Sequence, residues 1–197
     1  MGLQGGLIMS LQKKTLVSLF AALLCVSSYI VIPIGPVPVT LQVLFVLLAG
    51  SILGAKLGAL SVVIWIILGV FGLPVFAGGK AGPITLLGPT GGYLWGFILC
   101  AWIVGKLSGV CQGSKLRMGA AMLLGVTVMY IAGLAGFMAS FAFFLQKPMT
   151  LGQALSMAVW PFLPYELVKV GIGAWVSPVL ITAIRRAGIA SELEKHA

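Results

Sequence analysis

The chain has 197 residues, 60% of them hydrophobic and only 8% charged. A soluble domain keeps about a quarter of its residues charged, so this composition excludes a water-facing surface and describes an integral membrane domain. The net charge of +9 does not point to nucleic acid, because the basic residues sit in short clusters between apolar runs rather than on one solvated face.

A helix needs about 20 apolar residues to cross the hydrocarbon core, so the length accommodates about six crossings. Residues 1–12 form a weakly polar N-terminal tail, 13–187 the membrane domain and 188–197 a polar C-terminal tail. The first helix is expected from Leu16 to Ile34, preceded by Lys13 and Lys14. It stops where Pro33, Pro36 and Pro38 remove amide donors and bias the preceding residues away from helix. A second helix runs from about Val39 to Leu53, with Thr40 and Gln42 in its first turn. Gly50, Gly54 and Gly58, spaced by four, allow a close backbone approach at its far end. Lys56 marks the turn into a third helix, Leu57 to Leu73.

Residues 71–93 form the longest irregular stretch. They are rich in glycine and proline yet otherwise mostly apolar, unlike a polar flexible linker, so an ordered loop is expected. A fourth helix spans about Gly91 to Leu107 and a fifth Met118 to Phe144. A sixth runs from Leu151 to Ile184, interrupted by Pro161 and Pro164. The predicted class is therefore an all-α integral membrane fold of six transmembrane helices. Charge sets its orientation: Lys13, Lys14, Lys56, Lys106, Lys115, Arg117, Arg185, Arg186 and Lys195 fall on one side, and only Lys80 and Lys147 on the other. That asymmetry predicts both termini in the cytoplasm. The proline cluster, the long loop and the broken start of the last helix then share the outer face.

Glu166 is the only acid within apolar sequence, since Glu192 and Glu194 lie in the C-terminal tail and there is no aspartate. Lys169 follows at the i+3 spacing that shares one helix face. Ionisable residues inside a membrane are costly and tend to face a bundle interior or a water-filled cavity. Two readings stand side by side: a polar contact for a substrate near one membrane surface, or a self-neutralising pair that pins two helices together. Enzyme chemistry lacks parts. The one histidine, His196, is in the tail, so neither a Ser-His dyad nor a histidine-based metal site can form in the membrane. Gly78-Gly79-Lys80 does not make a phosphate loop, with Pro74 at the first glycine position and Ala81 after the lysine. No metal or cofactor is expected. Cys25, Cys100 and Cys111 suggest no disulfide framework.

Two sets of residues remain open. Ser18 and Ala22, like Ala21 and Cys25, form small-residue stripes that suit either internal packing or an external partner. Trp65, Trp102, Tyr130 and Trp175 read as packing or interface aromatics. Tyr93, Trp95, Trp160 and Tyr165 suit either a ligand ring or the outer aromatic belt. An acid, a lysine, a glutamine and loop amides together favour a small ligand with neutral donors and acceptors on an apolar body.

Four blocks carry a resemblance: Pro36-Val37-Pro38-Val39-Thr40-Leu41-Gln42, Gly72-Leu73-Pro74-Val75-Phe76-Ala77-Gly78-Gly79, Gly88-Pro89-Thr90-Gly91-Gly92-Tyr93, and Pro161 through Lys169. In this order they resemble the BioY family, the biotin-specific substrate-binding (S) components of energy-coupling factor (ECF) transporters. The resemblance implies an S-component fold in the cytoplasmic membrane that binds biotin from the outer side. It also implies docking onto a transmembrane coupling protein joined to two ATPase subunits, although some members take up biotin without that module. Binding residues map by motif to Gln42, the Gly78-Gly79 loop with Lys80, Tyr93, Glu166 and Lys169, and Ser18 and Ala22 to the partner face. The family usually places Asp at position 166, after Pro-Gly rather than Pro-Tyr, and Asn at position 80.

Overall fold

The computed structural model describes residues 11–33, 37–111 and 113–186. The N-terminal tail up to residue 10, residues 34–36 of the proline cluster and the C-terminal tail 188–197 lie outside that range. The chain is mostly helical. α1 (Leu11–Ser27) takes in the last two residues assigned to the tail. It closes seven residues before the apolar run does, because the Ser27 and Ser28 hydroxyls donate back to the Leu24 and Cys25 carbonyls. Val31 and Ile32, apolar but β-branched, instead form a short strand β1 (Val31–Ile32) that pairs antiparallel with β2 (Val39–Thr40). The ribbon brings the segment after the prolines back to the bundle and delivers Gln42 to the start of the next helix.

α2 (Gln42–Val70) contains both the second and third expected helices, divided at Gly54, whose φ of 81° and ψ of 178° are not helical. A Cβ on Gly58 would sit 2.8 Å from the Ala49 carbonyl oxygen. Those residues would be about 13 Å apart along an unbroken helix at 1.5 Å per residue. The two arms of α2 therefore fold back on each other, and one residue makes the reversal. Lys56 is exposed just beyond it.

A short α3 (Ile84–Leu87) leads into α4 (Gly91–Ser108), followed by a 3-10 turn and α5 (Lys115–Phe143), which Ser114 caps by accepting from the Arg117 amide. α6 (Leu151–Ala158) starts with a Thr150–Gln153 capping box and ends before Pro161; α7 (Leu163–Arg186) begins around Pro164. The interruption expected at the two prolines is thus a break between two helices. α2, α4, α5 and α7 are long and apolar enough to cross a membrane.

α4 is the central helix, packed against both α2 and α5. Glycines line its α5 face: a Cβ on Gly92 would lie 2.6 Å from the Ala132 carbonyl oxygen and 2.8 Å from Gly136 Cα. Backbone meets backbone there, the close packing that small residues permit in lipid. Gly92→Val should force α4 away from α5 and cost about 1–3 kcal/mol. Its thermal unfolding midpoint in detergent should fall, and an unchanged midpoint would mean the helices have slack. The antiparallel packing gathers Lys56, Lys106, Lys115, Arg117 and Arg186 at the end of the bundle holding the Gly54 turn. Gln42, Gly91 and Leu163 lie at the other end.

Candidate ligand-binding site

At that second end lies a cavity of about 670 Å³, mouth included. Its walls come from residues 37–43, 76–85, 90–97, 129–130 and 158–166, so the proline cluster, the long loop and the start of α7 meet around one space. Val39, Val43, Phe76, Leu94, Phe97 and Phe162 make most of the wall apolar. Few polar groups reach it, the usual make-up of a small-molecule site.

Glu166 lies in the first turn of α7, and Lys169 is one turn deeper. Lys169 Nζ donates to Glu166 Oε1 at 2.7 Å, and each side chain is 6% exposed. Glu166 lines the cavity; Lys169 stands behind it, outside the lining. The ammonium neutralises the carboxylate in place, as burial of such a charge requires. The second carboxylate oxygen, Oε2, is buried with no hydrogen-bond partner.

Gln42 opens α2 with a second incomplete group. The Thr40 hydroxyl donates to Gln42 Oε1 at 3.0 Å and accepts from the Gln42 amide N–H at 3.3 Å. This arrangement fixes the side-chain amide and leaves Nε2, a buried donor, without an acceptor. Each such orphan costs about 1–3 kcal/mol, and native proteins rarely leave one unexplained. Gln42 and Glu166 both line the cavity, so one guest carrying an acceptor and a donor would complete both. The third buried orphan among the described residues, Ser140 Oγ on α5, lies outside the lining.

The loop contributes less directly than its glycines suggest. Gly78 and Gly79 adopt φ of 72° and 74°, a left-handed pair that turns the chain sharply. Their amides are already used: Gly78 N–H donates to the Ser28 carbonyl at 3.3 Å and Gly79 N–H to the Phe76 carbonyl at 2.9 Å. Neither glycine lines the cavity, whereas Phe76, Ala77 and Lys80 do. Lys80 is exposed, which puts its charge at the mouth. Tyr93 is buried in the wall; its hydroxyl donates to the Ala158 carbonyl, so the ring, not the hydroxyl, is free to meet a guest.

Tyr130 belongs to this site although its sequence context marks it only as a packing aromatic. It lines the cavity and meets Tyr93 edge to face, with centroids 5.7 Å apart. Trp95, Trp160 and Tyr165, possible ring partners by sequence, are partly exposed and lie outside the lining. Tyr130 and Glu166 also border a second, apolar depression between α5, α6 and α7, of about 730 Å³ with its open side included. Ser18 and Ala22 share an exposed face of α1, while Ala21 is buried in the core.

Comparison with known proteins agrees with this geometry. The model of the BioY family matches residues 4–186. The biotin transporter BioY of Thermotoga maritima is 39% identical over 159 residues, covering 81% of this chain and 89% of that protein. The probable biotin transporter BioY of Pyrococcus horikoshii is 42% identical over 161 residues, covering 82% and 91%. Among solved structures, the S-component for biotin from an ECF-type ABC transporter superposes with a TM-score of 0.75 at 28% identity, covering 86% of this chain and 90% of that one. With four apolar helices of spanning length among the described residues and a family match across residues 4–186, this multi-pass membrane chain belongs to the BioY family.

Proposed function

We propose that this protein captures biotin in the cavity between α2, α4 and α7 and serves in its uptake as the substrate-binding component of an ECF transporter. The observation that carries the reading is that the two residues with orphaned buried atoms, Gln42 (Nε2) and Glu166 (Oε2), both line one apolar cavity. Biotin's cyclic urea presents a carbonyl beside N–H groups, the complement of that donor and acceptor. Its bicyclic body matches the walls of Phe76, Tyr93, Phe97 and Tyr130. Its carboxylate, repelled by Glu166, is directed to Lys80 at the mouth. Lys169 acts through Glu166 by pairing with Oε1 and holding the carboxyl group in place, and Gly78 and Gly79 act by turning the loop so that Ala77 and Lys80 reach the site.

The same reading places six spans in the cytoplasmic membrane, counting each arm of α2, and both termini in the cytoplasm. The basic end of the bundle supports that orientation, and the cavity then opens outward. The exposed Ser18–Ala22 face of α1 is the docking surface for a transmembrane coupling protein with two ATPase subunits. The chain contributes no catalysis: every polar group in the site can bind, and none is a nucleophile paired with a base.

Titrating biotin into the purified protein tests the reading, with biotinamide as the neutral counterpart. Biotin should bind saturably, and absence of binding would overturn the proposal. Lys80→Ala should weaken biotin about threefold, the size of an exposed charge contact, with the difference shrinking as salt rises. Binding of biotinamide should not change. An equal loss for both ligands would remove Lys80 from the carboxylate.

A further inference from the structure

The ligand loop is gripped from beneath by a residue that never reaches the cavity. Trp65, fully buried on the second arm of α2, donates its indole N–H to the Val75 carbonyl at 2.9 Å. Its ring meets Phe76 edge to face, centroids 5.5 Å apart at 88°, and lies 6.0 Å from Phe97 at 39°. Phe76 and Phe97 both contribute to the cavity wall, one from the loop and one from α4. A second hold lies one turn further along α2. The Gly82 N–H donates to the Gly69 carbonyl at 2.8 Å, and the Phe76 ring fills the space where a side chain on Gly69 would be.

We infer that Trp65 is the positioning residue of the ligand site: it fixes the loop over residues 75–80, and with it Phe76 and Lys80, in the geometry that receives biotin. A buried indole N–H in an apolar bundle has to find an acceptor, and the Val75 carbonyl is the one in reach. The loop it holds contains Gly72, Gly78, Gly79 and Gly82, all at positive φ, so it has many alternative backbone states when released. A loop already in place spares the ligand the cost of ordering it. Loosening the Trp65 contact should therefore raise the population of the open loop with the helical bundle intact, and affinity should fall only as the closed-loop fraction falls.

The inference rests on the biotin reading, and the experiment separates the two. Trp65→Phe keeps a ring in the core and removes the N–H. Lys80 is an exposed trypsin site in the loop, so cleavage after it in ligand-free protein reports loop opening. Trp65→Phe should accelerate that cleavage about fivefold, the worth of one neutral hydrogen bond, and weaken biotin by the smaller factor by which the closed-loop fraction drops. Val62→Ala, at a fully buried position one turn earlier on the same arm, is the control for lost core packing. It should lower the unfolding midpoint yet leave cleavage and affinity at wild-type values. A wild-type cleavage rate in Trp65→Phe would overturn the inference, and so would Val62→Ala reproducing the acceleration. If Trp65→Phe does not fold, Phe76→Leu removes the ring contact from the loop side and should accelerate the same cleavage; a wild-type rate there would equally overturn it. If the wild-type protein binds no biotin, the functional reading falls, while the cleavage comparison still decides whether Trp65 holds the loop.

Discussion

Replacing Glu166 with glutamine should weaken biotin binding about a hundredfold, the upper range for a hydrogen bond to a charged group. The amide oxygen can still accept from Lys169, which leaves the amide nitrogen toward the cavity. There it would meet the urea N–H donor to donor. Glu166→Asp keeps the charge on a shorter arm and should retain most of the affinity. Calorimetric titration of the three proteins distinguishes the outcomes. If the glutamine variant binds as wild type does, the carboxylate is no ligand contact and the pair serves only to join helices.

The Lys169 variants should show their largest effect on stability. Lys169→Met alone strands a buried carboxylate and should cost about 3–5 kcal/mol, whereas replacing both members of a buried pair often costs little. The double variant Glu166→Gln/Lys169→Met should therefore recover most of the lost stability and yet bind biotin about a hundredfold more weakly than wild type. Unfolding midpoints and titrations on the same preparations check this. A double variant that unfolds as readily as Lys169→Met, or that binds at wild-type strength, would contradict the division of labour between the two residues. The proposed division follows from placement: Glu166 lines the cavity, whereas Lys169 lies outside the lining and pairs with it.

Much of this was legible in the residues because polar groups stand out against an apolar background. Glu166, Lys169 and Gln42 are conspicuous in such a sequence, and the structure places Gln42 and Glu166 on one cavity. The proline break before Glu166 and the apolar runs of α4 and α5 were equally visible. The end of α1 was not, since Val31 and Ile32 are as apolar in a strand as in a helix. Tyr130, Phe76, Phe97 and Phe162 line the cavity, but aromatic residues among other apolar residues carry no local mark of which face they occupy. Gly78 and Gly79 announced a turn, yet only coordinates reveal that their amides are already bonded within the protein. Trp65 was hidden for the same reason: its N–H partner lies in a loop whose path depends on tertiary packing.

The reversal at Gly54 links two residues on different arms of α2: Gln42 on the first, in the cavity wall, and Trp65 on the second, bonded to the loop at Val75. Because a single residue makes that reversal, their angular phase is locked like two gears on one shaft. One extra residue there would swing every later position on the second arm by about 100°, carrying the indole away from Val75.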